Sequence, residues 1–454
     1  MPLWFRTYRY LQIDIETNDD PLTIHEFYSF FTAYPFEQNA SFESSDPSLQ
    51  QVWDVGWRTA RLCAGETYFD CPYYEQLQYV GDTRIQALIS LYVSGDDRLM
   101  RKAIQLFDDS RRPDGLTSSR YPTNLPQIIP PYSLFWISMI HDYWMFRQDD
   151  DFVSSFLLGI QGVLHWYEQR IDDTGMLGPM AHWNFVDWPD EWAWDSVADI
   201  GGVPPGAENG HSSVITFQYI YVLQQAVELL ENYGKTRVAD HYRELGALLK
   251  KAVRTHCWDH DRQLYADTPQ KNSYSQQGNV TAVLVDMAPE GEEADFLWRV
   301  INDTSLTQNT FYYQFYTFQA LKKVGLADQY LELLQPWRDM LDIGLTTFAE
   351  RPEPTRSDCH AWSASPNYDL LATVAGIEPA SPGFKTVSIE PAFGHLGWIR
   401  ASLPHPAGEI KVDLRKRGTR HLEGQVQLPE NITGTLTWQG RTIPVESGIQ
   451  QIRF

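Results

Sequence analysis

The sequence predicts a mainly α-helical protein, an (α/α)6 barrel or six-hairpin toroid, with a short N-terminal β-segment and a C-terminal antiparallel β-sandwich domain. Three observations lead to this fold class. About a dozen amphipathic segments follow one another between residues 46 and 375 without intervening strands. Strand-like alternation, punctuated by Gly and Pro, begins beyond residue 376. No fixed-period repeat is visible, so a solenoid of stacked helix pairs is the less favoured alternative.

The N-terminal region contains two runs of strand-like alternation, at 7–15 and 25–34. Two strands alone are barely stable in water. We therefore expect them to pack on the next domain or to be the remainder of a larger β-domain. The expected domains are a β-segment and linker at 1–45, a helical domain at 46–375 and a β-domain at 376–454.

In the middle of the chain, apolar residues recur at spacings of three and four, which is typical of amphipathic helices. Asp46 precedes Pro47 at the start of the first helix, a good N-cap followed by an early proline. Three long interruptions, at 65–81, 171–210 and 342–359, are rich in acids, and long loops in a compact domain are usually functional. The predicted helices lie near 47–64, 82–94, 96–110, 131–147, 150–170, 211–233, 235–256, 275–287, 290–302, 310–324, 327–341 and 360–375.

Short alternating segments separated by Gly and Pro fill the C-terminal region. This spacing is typical of a small antiparallel β-domain. We expect strands at 387–391, 399–403, 409–414, 424–428, 435–438 and 449–454.

The charge of the chain excludes several classes of partner. The 454 residues carry a net charge of −23, whereas nucleic acids and anionic membranes both require a basic face. Neither is therefore expected as a partner. No apolar run approaches the roughly 18 residues of a transmembrane helix, and no signal peptide is visible at the start of the sequence.

The four cysteines lack the CxxC or zinc-like spacing of a metal site. We therefore expect reduced thiols in a cytoplasmic protein, with no metal and no cofactor. Cys71 and Cys359 lie in stretches with a predicted function. No base partner is evident for either thiol, so we interpret both as small buried filler. A homodimer is left open.

The stretch from Asp70 to Asp82 combines acids and rings in a way that surface loops and core strands rarely need. It suits the wall of a pocket for a ligand with both hydroxyls and apolar faces. Pro72 disfavours a helix before it and Gly81 frees the chain to turn, so we expect a helix from Asp82. The alternative is that Asp82 is only an N-cap, which leaves Asp70 and Glu75 unexplained. The three acids and three tyrosines are Asp70, Tyr73, Tyr74, Glu75, Tyr79 and Asp82.

The second interruption contains a run of tryptophans and acids from His182 to Asp195. We favour sugar platforms, because pyranose rings present apolar C–H faces to indole and hydroxyls to carboxylates. The alternative is an aromatic cluster that closes the loop over the core. The run includes Trp183, Asp187, Trp188, Trp192 and Trp194.

The third interruption supplies further polar groups. Glu350 is next to Arg351, which could simply pair with it, and a lone His such as His360 is usually structural. With the other loops, however, the sequence offers two candidate glutamates, several supporting acids and many rings. A glycoside hydrolase needs one acid to protonate the leaving oxygen and one carboxylate to activate water or attack carbon. Neighbouring acids are expected to raise the pKa of the acid member.

These stretches together resemble the α-L-rhamnosidases of glycoside hydrolase family 78. The resemblance rests on residues 70–82, 186–188 and 346–351, on His360 with the helix after it, and on 376–384, which looks like the family's entry into its C-terminal β-domain. It covers the chain from about residue 5 to the end. The family's large N-terminal β-domains are absent apart from two strands, so the chain looks like a short member or part of a longer protein.

The resemblance implies an (α/α)6 barrel and inverting hydrolysis of terminal α-L-rhamnosides. It places Glu75 as the general acid and Glu350 as the general base, with Glu353 as the competitor for the base. It also implies that Asp70 and Asp82 hold rhamnose hydroxyls.

His360 takes the place of a substrate-binding His in this resemblance. The sequence departs from the family at two points: many members carry Arg-Asp where this chain has Tyr73-Tyr74, and usually Trp where it has Tyr79. That side of the pocket must therefore differ. The remaining residues that we expect to bind substrate are Tyr74, Tyr79, Trp183, Asp187, Trp188 and Trp194.

The expected partner is a small rhamnoside or oligosaccharide, whose 6-deoxy methyl group calls for an apolar wall. Tyr79, Trp188 and Trp194 could supply that wall. One alternative is another (α/α)6 exo-glycosidase of different sugar specificity. A second is a catalytically silent sugar-binding protein or a fragment that needs partner domains, against which the presence of both Glu75 and Glu350 argues.

Overall fold

A computed structural model describes residues 5–8, 10–196, 200–418 and 421–454. In those ranges helices dominate the middle of the chain and strands its C-terminal part, as the sequence predicts. The α-helices are α1 (Ser48–Leu62), α2 (Val80–Val93), α3 (Arg98–Asp109), α4 (Pro130–Phe146), α5 (Asp150–Ser155), α6 (Leu157–Glu168), α7 (Ser213–Asn232), α8 (Thr236–Cys257), α9 (Gln276–Leu284), α10 (Glu293–Asn302), α11 (Phe311–Lys323), α12 (Gln335–Asp342) and α13 (Pro366–Asp369).

Three predicted helices are composite. The segment predicted at 150–170 forms α5 and α6. A 3-10 helix at Ala327–Leu334 precedes α12, and the last inner segment joins a 3-10 helix at Ala361–Ala364, α13 and a π-helix at Leu370–Val374. Both α12 and α13 carry a proline in their first turn, where the missing N–H costs nothing.

Buried and half-buried helices alternate along the chain. Every residue of α2 is buried, whereas α3 buries one stripe of apolar side chains and exposes the rest. The buried set is α2, α4, α7, α9, α11 and the composite helix at 361–374, and each of its members contacts the next. The composite helix in turn contacts α2, so the inner helices form a closed ring. This closure confirms the six-hairpin toroid and excludes the open solenoid.

The strands predicted at 7–15 and 25–34 are not strands in the described part of the N-terminal region; Arg9 lies outside the described residues. A strand needs an edge to pair with, and this segment touches the barrel at few points, such as Phe5 on Phe69 and the hydroxyl of Thr7 on the Pro72 carbonyl. Its large apolar side chains stay exposed. The short N-terminal strand is instead β1 (Ser41–Ser44).

Two sheets form the C-terminal β-domain. The strands after β1 are β2 (Trp258–Asp259), β3 (Leu264–Tyr265), β4 (Ile377–Pro379), β5 (Thr386–Ile389), β6 (Trp398–His405), β7 (Gly408–Arg417), β8 (His421–Leu428), β9 (Thr433–Trp438), β10 (Arg441–Val445) and β11 (Gly448–Arg453). The five-stranded sheet has the order β1-β6-β7-β8-β11, and the four-stranded sheet has the order β10-β9-β5-β4. One pair, β5 with β9, is parallel, which departs from the predicted antiparallel arrangement. The strand β10 was missed by the sequence pattern because it is short, largely exposed and contains a proline.

The sandwich core comes from the inner faces of both sheets. Along β7, Ile410, Val412 and Leu414 are buried while their neighbours are not, as a period of two requires. In the opposite sheet, β5 and β9 bury Val387, Ile389, Leu436 and Trp438. Among the described residues, no helix is long and apolar enough to cross a membrane.

Candidate active site

A small, open cavity lies at the end of the barrel where the inner helices begin. Three of its walls come from residues at or just before the starts of α2, α4 and the composite helix at 361–374. The long loops supply the other walls. The lining residues are Asp70, Glu75, Tyr79, Asp82, Ile129, Tyr132, Trp183, Phe185, Trp188, Glu350, His360 and Trp362.

In the stretch from Asp70 to Asp82, the helix begins earlier than the sequence suggested. Helix α2 begins at Val80, so Asp82 lies inside its first turn and is not its N-cap. Gly81 is helical and does not make a turn. A Cβ at this position would approach the Tyr132 ring and the Tyr312 hydroxyl to 2.7 Å. The glycine therefore allows two tyrosines to pack against the start of α2, directly under the cavity.

Asp82 and His360 form a buried pair at the bottom of the cavity. Asp82 Oδ1 lies 2.9 Å from His360 Nε2, and the two side chains are 2% and 3% exposed. Burial lowers the His360 pKa, but the hydrogen bond to Asp82 and the charges of Glu350 and Asp70 outweigh it and raise the pKa to about 9. In the described part of the chain, His360 Nδ1 has no hydrogen-bond partner, so it remains available to a ligand.

Asp70 lies beside this pair and accepts a hydrogen bond of 2.9 Å from the backbone N–H of Leu77. Burial raises the pKa of Asp70 to about 7, the neighbouring acids Glu75 and Asp82 add to that, and His360 opposes it.

One group of described residues is close enough together to be tested as a metal site: one potential ligand atom each from Asp70, Cys71 and His360 lies within 4.8 Å of the others. A ligating thiol must lose its proton. Burial raises the pKa of Cys71 to about 12, and the thiol donates to Asp70 at 3.3 Å. His360 is already paired with Asp82. These contacts fit a protonated thiol and an ionised imidazole better than a metal site.

Glu75 projects into the cavity from the irregular segment before α2, and both of its oxygens accept hydrogen bonds. The Tyr79 hydroxyl donates to Oε2 at 2.5 Å, and Arg356 Nη2 donates to Oε1 at 2.6 Å. Burial raises the Glu75 pKa, but these two donors outweigh it and hold the pKa below its usual value. The sequence led us to expect the opposite direction for the acid member of the pair.

Glu350 faces the same cavity and is 8% exposed. Its backbone is fixed on both sides: the Glu350 N–H donates to the Ser357 carbonyl at 2.9 Å, and the Glu350 carbonyl accepts from the Trp362 indole at 2.7 Å. Arg356 Nη2 lies 3.8 Å from Glu350 Oε1. Since the same nitrogen is 2.6 Å from Glu75 Oε1, the two carboxylate oxygens are at most about 6.4 Å apart, the sum of 2.6 and 3.8 Å.

The run of tryptophans and acids at 182–195, here called the aromatic loop, forms one wall of the cavity. Trp183, Phe185 and Trp188 line it, and the Trp183 indole is fixed by a hydrogen bond of 2.8 Å to the Gly201 carbonyl. Trp194 packs on Trp183 with ring centroids 5.8 Å apart, but it is 48% exposed and lies outside the lining.

Asp187 is fully buried behind this wall and does not reach the cavity. It accepts hydrogen bonds from the Gln277 amide at 2.8 Å, from the Thr310 N–H at 2.9 Å and from the Thr310 hydroxyl. These donors come from α9 and from the N-cap of α11. In this arrangement Asp187 fastens the aromatic loop to two inner helices.

Tyr74 lies at the mouth of the cavity, 52% exposed, with the Arg356 guanidinium 5.4 Å above its ring. Glu353 is exposed, lies outside the lining, and accepts from the Thr355 N–H. The structure thus brings eight of the predicted site residues into one cavity and leaves three outside it. The three are Tyr74, Asp187 and Trp194.

Sequence reasoning missed several lining residues. Ile129, Tyr132 and Trp362 lie at the starts of predicted helices, and that position would have identified them once the convergence of the inner helices was known. Arg356 is not a lining residue but binds Glu75, and it was also missed, because it is an isolated cation in an irregular segment.

Comparison with protein families agrees with this geometry. Residues 37–374 match the model of the bacterial alpha-L-rhamnosidase 6 hairpin glycosidase domain. Residues 376–449 match the bacterial alpha-L-rhamnosidase C-terminal domain.

Solved structures share the fold. A GH78 family rhamnosidase of Bacillus sp. GL1 superimposes with a TM-score of 0.82 at 27% identity, covering 92% of this chain and 44% of that one. An alpha-L-rhamnosidase from Dictyoglumus thermophilum gives 0.76 at 17% identity, covering 92% of this chain and 50% of that one. A rhamnosidase from Klebsiella oxytoca with rhamnose bound gives 0.64 at 22% identity, covering 75% and 65%.

Among curated proteins, an N,N'-diacetylchitobiose phosphorylase from Vibrio proteolyticus is 29% identical over 115 residues, which is 22% of this chain and 14% of that protein. The chain spans half or less of the length of the first solved structures that it resembles. The family match covers most of the chain and both of its domains. The chain therefore belongs to the bacterial α-L-rhamnosidase family.

Proposed function

We propose that this chain removes terminal α-L-rhamnose from rhamnosides by an inverting mechanism, with Glu75 as general acid and Glu350 as general base. The observation that carries the proposal is that these two glutamates face one small cavity from two different loops. Its floor is an Asp–His pair and its wall is aromatic. Family membership supports the sugar, since the match includes the catalytic domain.

The floor suits the polar side of the sugar. Asp70 and Asp82 accept hydrogen bonds from hydroxyls, and His360, protonated at neutral pH, donates from Nδ1. Tyr132, Phe185 and the other rings offer an apolar surface to the C–H faces and to the 6-methyl group.

Catalysis then needs one proton and one water. Glu75 gives a proton to the leaving oxygen as the glycosidic bond breaks, and Glu350 takes a proton from the water that attacks the anomeric carbon from the other side. An inverting pair is roughly 6.5–9.5 Å apart and a retaining pair about 5–5.5 Å. In the protein without sugar, the contacts of 2.6 and 3.8 Å to Arg356 keep the two oxygens within about 6.4 Å of each other. The separation that matters for the mechanism is the one with sugar bound. The identity of the first anomer released therefore distinguishes inversion from retention.

Glu350 is a better base than Glu353 on position alone. Glu350 lines the cavity, whereas Glu353 is exposed and outside it. The Glu353→Gln variant is therefore the matched control for Glu350→Gln.

The deciding experiment is hydrolysis of a nitrophenyl α-L-rhamnoside by the purified chain, with the first-formed anomer identified by NMR. We expect β-L-rhamnose. Glu350→Gln should lower kcat about a hundredfold or more for all rhamnosides, because each still needs an activated water. Glu75→Gln should slow a natural glycoside more than the nitrophenyl substrate, whose leaving group needs little protonation. Full activity of Glu350→Gln together with an inactive Glu353→Gln would overturn the assignment of the base.

Two alternatives give different outcomes in the same assay. Activity on another nitrophenyl glycoside, and none on the rhamnoside, would identify an (α/α)6 exo-glycosidase of different specificity. Binding of L-rhamnose without turnover would identify a sugar-binding protein. A homodimer and a cytoplasmic location remain proposals. The latter is supported by the four cysteines, which are all free thiols.

A further inference from the structure

Arg356 lies between the two glutamates of the proposed mechanism. One of its nitrogens, Nη2, is 2.6 Å from Glu75 Oε1 and 3.8 Å from Glu350 Oε1. The side chain is 49% exposed, so the guanidinium reaches in from the mouth of the cavity and is not part of its buried floor. It thus occupies space that a glycosidic oxygen and a water must share during hydrolysis.

Glu75 cannot act as an acid in this arrangement. A general acid carries a proton on one oxygen and donates it to the leaving group. Here Oε2 accepts from the Tyr79 hydroxyl, and that hydroxyl is oriented because it accepts from Arg120 at 2.6 Å. Oε1 accepts from Arg356. Both oxygens therefore act as acceptors, and only Oε1, held by an exposed side chain, can become free.

We propose that Arg356 is a positioning residue for the reaction: it holds Glu75 and Glu350 together while the cavity is empty, and it gives way when a rhamnoside binds. The inference rests on the proposed function. On leaving, Arg356 frees Oε1 of Glu75 to take up a proton from solvent and allows the two carboxyl groups to separate.

The charges that remain around Glu75 favour that proton. With Arg356 gone, the three acids around Glu75, which include Glu350, outnumber the two cations. One of these cations, Arg120, lies 4.0 Å away and still favours the ionised form. Exclusion of water by the sugar further disfavours the ionised carboxylate. The titratable and charged groups facing Glu75 are Asp70, Tyr79, Asp82, Arg120, Tyr132, Glu350, Arg356 and His360.

The test is calorimetric titration of the full chain with L-rhamnose in buffers of different ionisation enthalpy, between pH 4 and 7. We expect the protein to take up close to one proton per sugar bound at the pH of maximum uptake. Glu75→Gln should abolish this uptake. Arg356→Met should reduce it by more than half, because its free Glu75 already binds a proton more readily. Arg356→Lys should restore most of it. Arg351→Met is the matched control: Arg351 lies on the same loop as Arg356 but pairs with Asp190 of a different loop, so the variant should leave the uptake unchanged.

Affinity separates displacement from direct recognition. If the sugar must displace Arg356, Arg356→Met should bind L-rhamnose about two- to fivefold more tightly, the range expected for losing one partly exposed ion pair. Weaker binding by Arg356→Met would mean that the guanidinium contacts the sugar, and the inference would be wrong. Unchanged melting temperatures would show that the variants are folded.

Kinetics supplies an independent check. The basic limb of the kcat/KM profile reports the pKa of the general acid in the free protein, and the basic limb of the kcat profile reports its pKa in the complex. In the wild type, the kcat limb should lie at higher pH than the kcat/KM limb. In Arg356→Met, most of this difference in pH should disappear.

Proton uptake on binding without turnover would keep the role of Arg356 and reject the proposed function. Turnover without uptake would keep the function and reject the role of Arg356.

Discussion

The floor and the mouth of the cavity are built in opposite ways. The floor side chains Asp70, Asp82 and His360 are 2%, 2% and 3% exposed, and each makes a hydrogen bond within the protein. At the mouth, Tyr74 and Trp194 are about half exposed and project from irregular segments. A pre-organised floor suits recognition of one sugar ring. An adaptable mouth suits variable aglycones. We therefore expect floor substitutions to affect every rhamnoside and mouth substitutions to depend on the aglycone.

The largest effect should come from the floor. Asp82→Asn removes the charge that stabilises His360 in its protonated form, so kcat/KM should fall about a hundredfold or more, whatever the aglycone. Comparison of methyl, nitrophenyl and disaccharide rhamnosides would check this. A loss confined to one aglycone would contradict the division between floor and mouth.

The same variant has a pH signature. The His360 pKa of about 9 lies above its usual 6.5, so the pair stabilises the fold fully below about pH 6.5, as long as Asp82, whose pKa is raised by burial, stays ionised. That contribution is lost as the pH rises through 9. In Asp82→Asn, burial should leave the His360 pKa lower than in the wild type, which NMR titration of the imidazole can measure. Denaturant unfolding at pH 6 and pH 9.5 should differ less for the variant than for the wild type.

Asp187 should affect the fold and not the sugar. Asp187→Ala leaves buried donors on Gln277 and Thr310 without an acceptor, which we expect to cost about 3 kcal/mol or more of unfolding free energy. Urea denaturation measures this, with Asp187→Asn as the milder control. A stable variant with a raised KM would instead show that Asp187 binds substrate, as the sequence suggested.

Substitution of two tryptophans should distinguish the wall of the cavity from its mouth. Trp188→Ala opens the lining and should raise KM about tenfold, equivalent to about 1.4 kcal/mol. Trp194→Ala removes a half-exposed ring outside the cavity and should change KM less than twofold for a small substrate. A large fall in melting temperature with an unchanged KM for Trp188→Ala would show that the cluster is structural.

The smallest effect is expected at Tyr74. Tyr74→Ala should raise KM about two- to threefold for a rhamnosyl disaccharide, because one exposed stacking surface is lost. Methyl α-L-rhamnoside should be unaffected. Equal effects on both substrates would place Tyr74 in the sugar subsite and not at the mouth.

The sequence predicted the helices better than the contacts that individual side chains make with distant parts of the chain. Helical periodicity is local, so each inner helix was visible, and the acids between Asp70 and Asp82 marked the floor. Burial of Asp187 was not visible, because its donors come from distant helices. The strands at 7–15 and 25–34 were wrong, because alternation alone does not supply a pairing partner. Arg356 was missed, since its importance depends on two glutamates that are brought together only by the ring.

The pairing of β1 with β6 has a consequence for folding order. The hydroxyls of Ser41 and Ser402 meet at 2.9 Å although 361 positions separate them in sequence. The edge strand of the C-terminal sheet is thus made before the barrel, and its partner is made after it. Contacts of such high sequence separation form slowly, because a long loop must close first. During synthesis the N-terminal strand must wait until the whole barrel and the first strands of the β-domain have emerged, so completion of this sheet is a late event in folding.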